Sequence, residues 1–158
     1  MIKQKLCLEL MEAAESEGSM IPILCNQENF VLKGNSHLIR KAMKNYHVYI
    51  KPAKKNNLEG RPLNGMFIAL SKFLRSKSKD ISPLNDRIQA VLIQTNEGNV
   101  MIINVYFLSD PKTAAYNTDS ELEDILIAIN NLIHNHQCNK VVMIGDMNTD
   151  YKRKKWTC

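Results

Sequence analysis

No Gly-rich phosphate loop, no Cys-x-x-Cys pair and no long apolar run occurs in these 158 residues. Without a Walker or dinucleotide-binding glycine pattern, a nucleotide has no backbone cradle at a helix N-terminus. Cys7, Cys25, Cys138 and Cys158 fall at no zinc spacing, and no His completes such a set, so free, reduced thiols are expected. Neither a signal peptide nor a membrane span is expected, because the first residues hold no apolar stretch. An intracellular protein, nuclear or cytoplasmic, without membrane association follows. His37, His47, His134 and His136 have no Ser or Cys motif partner, which excludes the common nucleophile triads. Internal repeats and low-complexity tracts are also missing.

What is present is an ordinary globular composition, 44% hydrophobic and 23% charged, with a formal charge of +5. The length suits one domain, expected over residues 1–150, with a basic tail over residues 151–158. The basic charge is clustered. Lys51, Lys54, Lys55 and Arg61 lie in one segment, and Lys72, Arg75, Lys77 and Lys79 in a second. Lys152, Arg153, Lys154 and Lys155 close the chain. Such runs are either solvated loops or contacts to a nucleic-acid backbone, which are salt-dependent and carry no sequence preference.

Hydrophobic periodicity gives helix, strand, helix, four strands, helix, strand. Residues 3–17 read as a helix with Leu6, Leu10, Ala13 and Ala14 in a stripe. Residues 21–25 read as a strand, and a short helix starting at Asn35 or Ser36 carries Leu38, Ile39, Ala42 and Met43. Strands follow at residues 46–51, 65–70, 87–95 and 99–107, the last two joined by a tight Asn96-Glu97-Gly98 link. The longest helix covers about residues 119–135, with Leu122, Ile125, Leu126, Ile129, Leu132 and Ile133 on one face. A final strand over residues 140–145 reads as buried on both faces. This order predicts an α/β fold with a mixed sheet.

Three polar groups leave apolar strands. Asp146 and Asn148 follow the run Val141-Val142-Met143-Ile144-Gly145 and, in an extended chain, share a face that Met147 does not. Glu28 follows Ile23-Leu24-Cys25-Asn26-Gln27 and suits a divalent metal bound through one oxygen. Tyr106 leaves the run Val100-Met101-Ile102-Ile103, where its hydroxyl can donate to a phosphate oxygen or simply wet the rim of a core. A turn, a solvated strand end and a core tyrosine are the bland alternatives. Convergence of the three at one sheet edge makes a single phosphate-ester site.

In order and spacing, Ile23-Leu24-Cys25-Asn26-Gln27-Glu28, Gly60-Arg61-Pro62-Leu63-Asn64-Gly65-Met66, Arg87-Ile88-Gln89-Ala90-Val91, Ile103-Asn104-Val105-Tyr106 and Val142-Met143-Ile144-Gly145-Asp146-Met147-Asn148 resemble the endonuclease/exonuclease/phosphatase superfamily. The nearest resemblance is to endonuclease domains of non-LTR (LINE-type) retrotransposons. It implies a four-layer α/β sandwich, here incomplete, and Mg²⁺-dependent phosphodiester hydrolysis on DNA, with Mn²⁺ as a substitute metal. It casts Glu28 as the metal ligand, Asp146 as the residue orienting the attacking water, and Asn148 and Tyr106 as contacts to the scissile phosphate. Arg61, Lys54 and Lys55 become contacts to nucleic acid.

The chain departs from the family pattern in having no first strand with a site Asn and no terminal Asp-His motif. Asn26 also stands where an apolar residue usually precedes Gln-Glu. The resemblance therefore implies a domain truncated at both ends, weak or inactive alone, with room for a second chain to complete the sheet. A catalytically dead nucleic-acid-binding module is the alternative, and a phosphatase acting on a small substrate is a third reading.

Overall fold

The computed structural model describes residues 22–55, 62, 64–107, 118–138 and 140–148. The helix expected over residues 3–17, Arg61 and the tail 151–158 lie outside them. Sheet 1 holds β1 (Ile23–Gln27), β2 (Tyr46–Lys51) and β3 (Met66–Ser71) in the order β1-β3-β2, all antiparallel. Sheet 2 holds β4 (Ser78–Asp80), β5 (Ile88–Thr95), β6 (Gly98–Tyr106) and β7 (Lys140–Asp146) in sequence order. Two α-helices accompany them, α1 (Ser36–Ala42) and α2 (Thr118–His136).

Alternation along the strands splits the apolar residues into three cores, and the cores define four layers. Tyr46, Val48, Phe67 and Ala69 point out of sheet 1 and pack under Ile39 and Met43 at α1. Their neighbours Ile68 and Leu70 point the other way, against Val91, Ile93 and Ile102 of sheet 2. The opposite face of sheet 2 presents Ile88, Ala90, Met101, Ile103 and Val105 to Ile125, Ile129 and Leu132 of α2. Helix, sheet, sheet and helix therefore stack as an α/β sandwich, with β1 lying over β6 and β7 and β3 over β5 and β6.

The connections follow from local chemistry. A two-residue turn, Asn96-Glu97, closes the β5–β6 hairpin, with Thr95 paired to Gly98. Gly98 there takes φ +112°, a conformation that favours glycine. Strands β6 and β7 are parallel, so the chain must cross over between them, and α2 makes that crossing. The polar, basic stretch after β3 holds a 3-10 helix, Lys72–Lys77, and the short β4.

Two expectations are corrected. β7 is not buried on both faces: Val141, Val142, Met143 and Ile144 are each 38–47% exposed. Among the described residues β7 is the edge of its sheet, paired only with β6. An apolar run reports what a strand is made of, not what covers it. The α2 stripe also divides, because Ile125, Ile129 and Leu132 are buried while Leu122 and Leu126 are exposed. The helix rests on sheet 2 through a face narrower than its apolar surface.

Candidate functional site

Both sheets deliver polar groups to one end of the sandwich. Sheet 1 brings Glu28, just past β1. Sheet 2 brings Tyr106 and Asp146, which are direct partners across the parallel β6–β7 ladder and so share a face. The face is the one between the sheets, because Asn104, two residues before Tyr106, reaches across to sheet 1. Asn104 is fully buried. Its Nδ2 donates to the carbonyls of Asn26 (3.0 Å) and Phe67 (3.1 Å), and its Oδ1 accepts from Gln27 Nε2. An amide placed in the apolar run of β6 is thus satisfied by three bonds, which tie β6 to β1 and β3 next to the site.

Tyr106 Oη donates to Glu28 Oε1 at 3.0 Å, joining residues 78 apart in sequence. The Arg87 guanidinium stands 5.3 Å from the centre of the Tyr106 ring and pairs with Glu121 of α2. Burial, reinforced by the hydrogen bond to Glu28 and its charge, pushes the Tyr106 phenol above its ordinary value, with Arg87 and the Asn148 side chain pulling the other way. At neutral pH the hydroxyl is protonated and acts as a donor.

The end of β7 is an Asx turn. Asp146 Oδ1 accepts the Asn148 backbone N–H at 3.0 Å, and Asn148 Nδ2 donates to the Phe107 carbonyl at 2.6 Å. The strand stops at Asp146, so the turn, not strand alternation, aims Asn148. Met147 faces away from the site and packs on the α2 core. Glu28 and Asn148 both adopt left-handed backbone, φ 52° and 46°. Such a conformation costs a non-glycine residue about 1–2 kcal/mol. Gly145 is needed for a different reason: a Cβ there would lie 1.9 Å from the Val105 carbonyl oxygen.

A lysine holds the neighbouring loop. Lys51, at the end of β2, donates through Nζ to the carbonyls of Pro83 (2.8 Å), Asn85 (2.5 Å) and Ile88 (2.8 Å). Desolvation lowers its pKa, and the Asp86 and Asp80 charges oppose the shift. Arg87 sits inside the loop so held, its N–H bonded to Asn85 Oδ1 and its carbonyl accepting from the Tyr106 N–H. Lys51 on one sheet therefore fixes the segment that places Arg87 over Tyr106 on the other.

The structure gathers Glu28, Tyr106, Asp146 and Asn148 and leaves the basic residues of the neighbouring segment apart. Lys54 is exposed and paired with Asp86 at 2.5 Å, and Lys55 is exposed. Among the described residues no group of three or more His, Cys, Asp and Glu could hold a metal. Glu28 and Asp146 bring carboxylates to this end beside Glu121, which Arg87 holds. Mg²⁺ commonly takes one or two carboxylates, waters and substrate phosphate oxygens, so this donor set fits it. Cys25, in β1, is a free thiol that burial pushes up to about 12, which makes it unreactive.

Sequence reasoning missed the parts played by Arg87, Lys51 and Glu121. One signal was available: Arg87 is the only basic residue between Lys79 and Lys112.

No family model matches the chain, and no curated protein matches it by sequence. Solved structures do. The catalytic domain of APE2 from Xenopus laevis superposes with a TM-score of 0.58 at 17% identity, over 89% of this chain and 53% of that one. TDP2 from C. elegans gives 0.56 at 17% identity, over 92% and 43%. The endonuclease domain of TRAS1, a telomere-specific non-LTR retrotransposon, gives 0.51 at 17%, over 92% and 53%. The chain thus spans about half the length of the structures it matches. It carries the α/β-sandwich fold of the endonuclease/exonuclease/phosphatase superfamily.

Proposed function

We propose that this chain is a metal-dependent phosphodiester hydrolase of retrotransposon-endonuclease type, acting on DNA. The observation that carries the reading is the convergence of Glu28, Tyr106, Asp146 and Asn148 at strand ends of both sheets in this fold. The similar structures include an endonuclease domain and a D. rerio TDP2 complexed with single-stranded DNA product, which supports nucleic acid as the substrate class.

Glu28 would hold Mg²⁺ or Mn²⁺, which supplies charge neutralisation at the scissile phosphate. Tyr106, kept protonated, donates a hydrogen bond toward a phosphate oxygen, and Arg87 fixes its ring. Asp146 has one oxygen committed to the Asx turn and turns the other toward an attacking water. Asn148 contacts the phosphate beside it. Arg61, Lys54 and Lys55 would follow the DNA backbone. Each donor acts on charge that grows in the transition state. A second chain adding strands at β7 would cover Val141, Val142, Met143 and Ile144.

The alternative, a binding module without catalysis, is favoured by one observation. None of the described His side chains joins the site: His37, exposed in α1, bonds the Gly34 carbonyl, His134 and His136 lie in the last turn of α2, and His47 lies at the far end of β2.

Plasmid nicking separates the readings. Purified chain with supercoiled DNA and Mg²⁺ is expected to nick weakly, at high enzyme concentration, and EDTA or Asp146→Ala to abolish that nicking. Salt-sensitive DNA binding with no nicking at any enzyme concentration would overturn the hydrolase reading in favour of the module.

A further inference from the structure

Charge is divided unevenly along this chain. Residues 29–79 hold 12 Lys and Arg against a single acid, Glu59, while the remainder holds 9 against 15. The excess belongs to sheet 1 and its connections, and the fold gathers part of it at the end remote from Glu28. β3 links the two ends. Met66 pairs with Gln27 and Lys51 beside the site, and Ser71 pairs with Tyr46 at the opposite end. Five residues at about 3.3 Å each separate the ends by about 17 Å.

At the remote end two segments meet. The Lys72 N–H bonds to the Asn45 carbonyl at 3.3 Å, which docks the 3-10 helix Lys72–Lys77 against the turn after α1. Arg40, Lys41 and Lys44 come from α1 and that turn, and Lys72 and Arg75 from the 3-10 helix; all are exposed. His47 lies between them. Burial, then the charges of Arg75 and Arg40, lower its pKa, so both arginines bear on one point. No carboxylate among the described residues pairs with any of the five.

An aromatic ring shares the 3-10 helix with Lys72 and Arg75. Leu74 turns inward onto the core between the sheets, while Phe73 is 62% exposed. An exposed apolar ring flanked along the 3-10 helix by Lys72 and Arg75 does not contribute to the core. It matches the chemistry of unpaired nucleobases, whose faces stack on aromatics while basic side chains follow their phosphates.

We propose that this end of sheet 1 is a contact surface for single-stranded nucleic acid, with Phe73 stacking on a base and Arg40, Lys41, Lys44, Lys72 and Arg75 on the phosphates. The surface stands apart from the strand-end site and does not depend on hydrolysis there. The surface would retain nucleic acid whether or not the chain cuts.

Fluorescence anisotropy with a labelled 20-nucleotide oligothymidylate, in EDTA, tests this on the full chain. Phe73→Ala is expected to weaken binding about five-fold or more at unchanged salt dependence. The combined Arg40→Ala, Lys72→Ala and Arg75→Ala variant is expected to reduce the slope of log affinity against log salt by about 2. All four positions are exposed, and circular dichroism checks that the variants fold. Unchanged affinity for Phe73→Ala, or an unchanged slope for the triple variant, overturns the proposal. So does binding of a duplex of equal length as tightly as the single strand with no loss on Phe73→Ala. Loss of binding to vesicles of anionic phospholipid, with oligonucleotide binding intact, overturns it in favour of a membrane surface. Because EDTA removes the metal, a positive result stands whatever the nicking assay gives.

Discussion

β3 and β7 are built from nearly the same material and meet opposite fates. Met-Phe-Ile-Ala-Leu-Ser and Lys-Val-Val-Met-Ile-Gly-Asp are both short and apolar, yet every residue of β3 is buried and no residue of β7 is. β3 has a strand on each side, α1 over one face and sheet 2 over the other. β7 has β6 alone. Neighbours decide burial, and an edge strand keeps its unpaired backbone and its apolar side chains available to another polypeptide.

The strongest test of the contrast is a charge on each strand. Ile68→Asp in β3 should cost more than about 4 kcal/mol, enough to unfold a marginal domain, because an unpaired carboxylate enters a closed core. Val142→Asp in β7 should change stability by less than about 1 kcal/mol by urea denaturation. A large loss at Val142 would break the comparison and show that β7 is covered in solution.

Gly145→Ala probes the one place where β7 is tightly placed. Overpacking against the Val105 carbonyl should destabilise by about 3 kcal/mol, the upper end for an added methyl group. A neutral result would mean that the edge yields to fit the side chain. Lys51→Met should cost about 2 kcal/mol, since three carbonyls lose a charged donor. Faster hydrogen exchange confined to residues 81–90 would separate loop release from general weakening.

The smallest effect is in alkali. The Tyr106 phenol titrates above the ordinary 10.0 in the folded chain, so its contribution is complete below pH 10 and fades as pH rises through the folded value. Melting temperatures of the parent chain should therefore fall faster than those of Tyr106→Phe from pH 10 upward. Parallel curves would detach Tyr106 from Glu28.

The chain sequence disclosed more of the fold than of the site. Alternation located β2, whose one face is buried, and apolar runs joined by the Asn96-Glu97-Gly98 link located β5 and β6, which are buried on both faces, all within a residue or two. Periodicity made the Ser36–Ala42 helix and the α2 crossover readable as well. The edge character of β7 was not, since nothing in Val-Val-Met-Ile states how many strands lie beyond it. Within the site, strand ends pointed to Glu28, Tyr106 and Asp146. The Asn104 tie, the Lys51 clamp and the Arg87–Tyr106 stack join residues tens of positions apart, and no local pattern encodes them. Asn148 was expected from alternation but is set by a turn.

The left-handed backbone at Glu28 and Asn148 bears on anyone who would engineer this chain. Glycine adopts that conformation without penalty, so Glu28→Gly and Asn148→Gly rank high in any search for sturdier variants. The same two exchanges strip the candidate site of its proposed metal ligand and proposed phosphate contact. A screen that selects for melting temperature alone would therefore drift toward inert proteins, and one that selects for turnover would preserve two strained residues at the expense of shelf life.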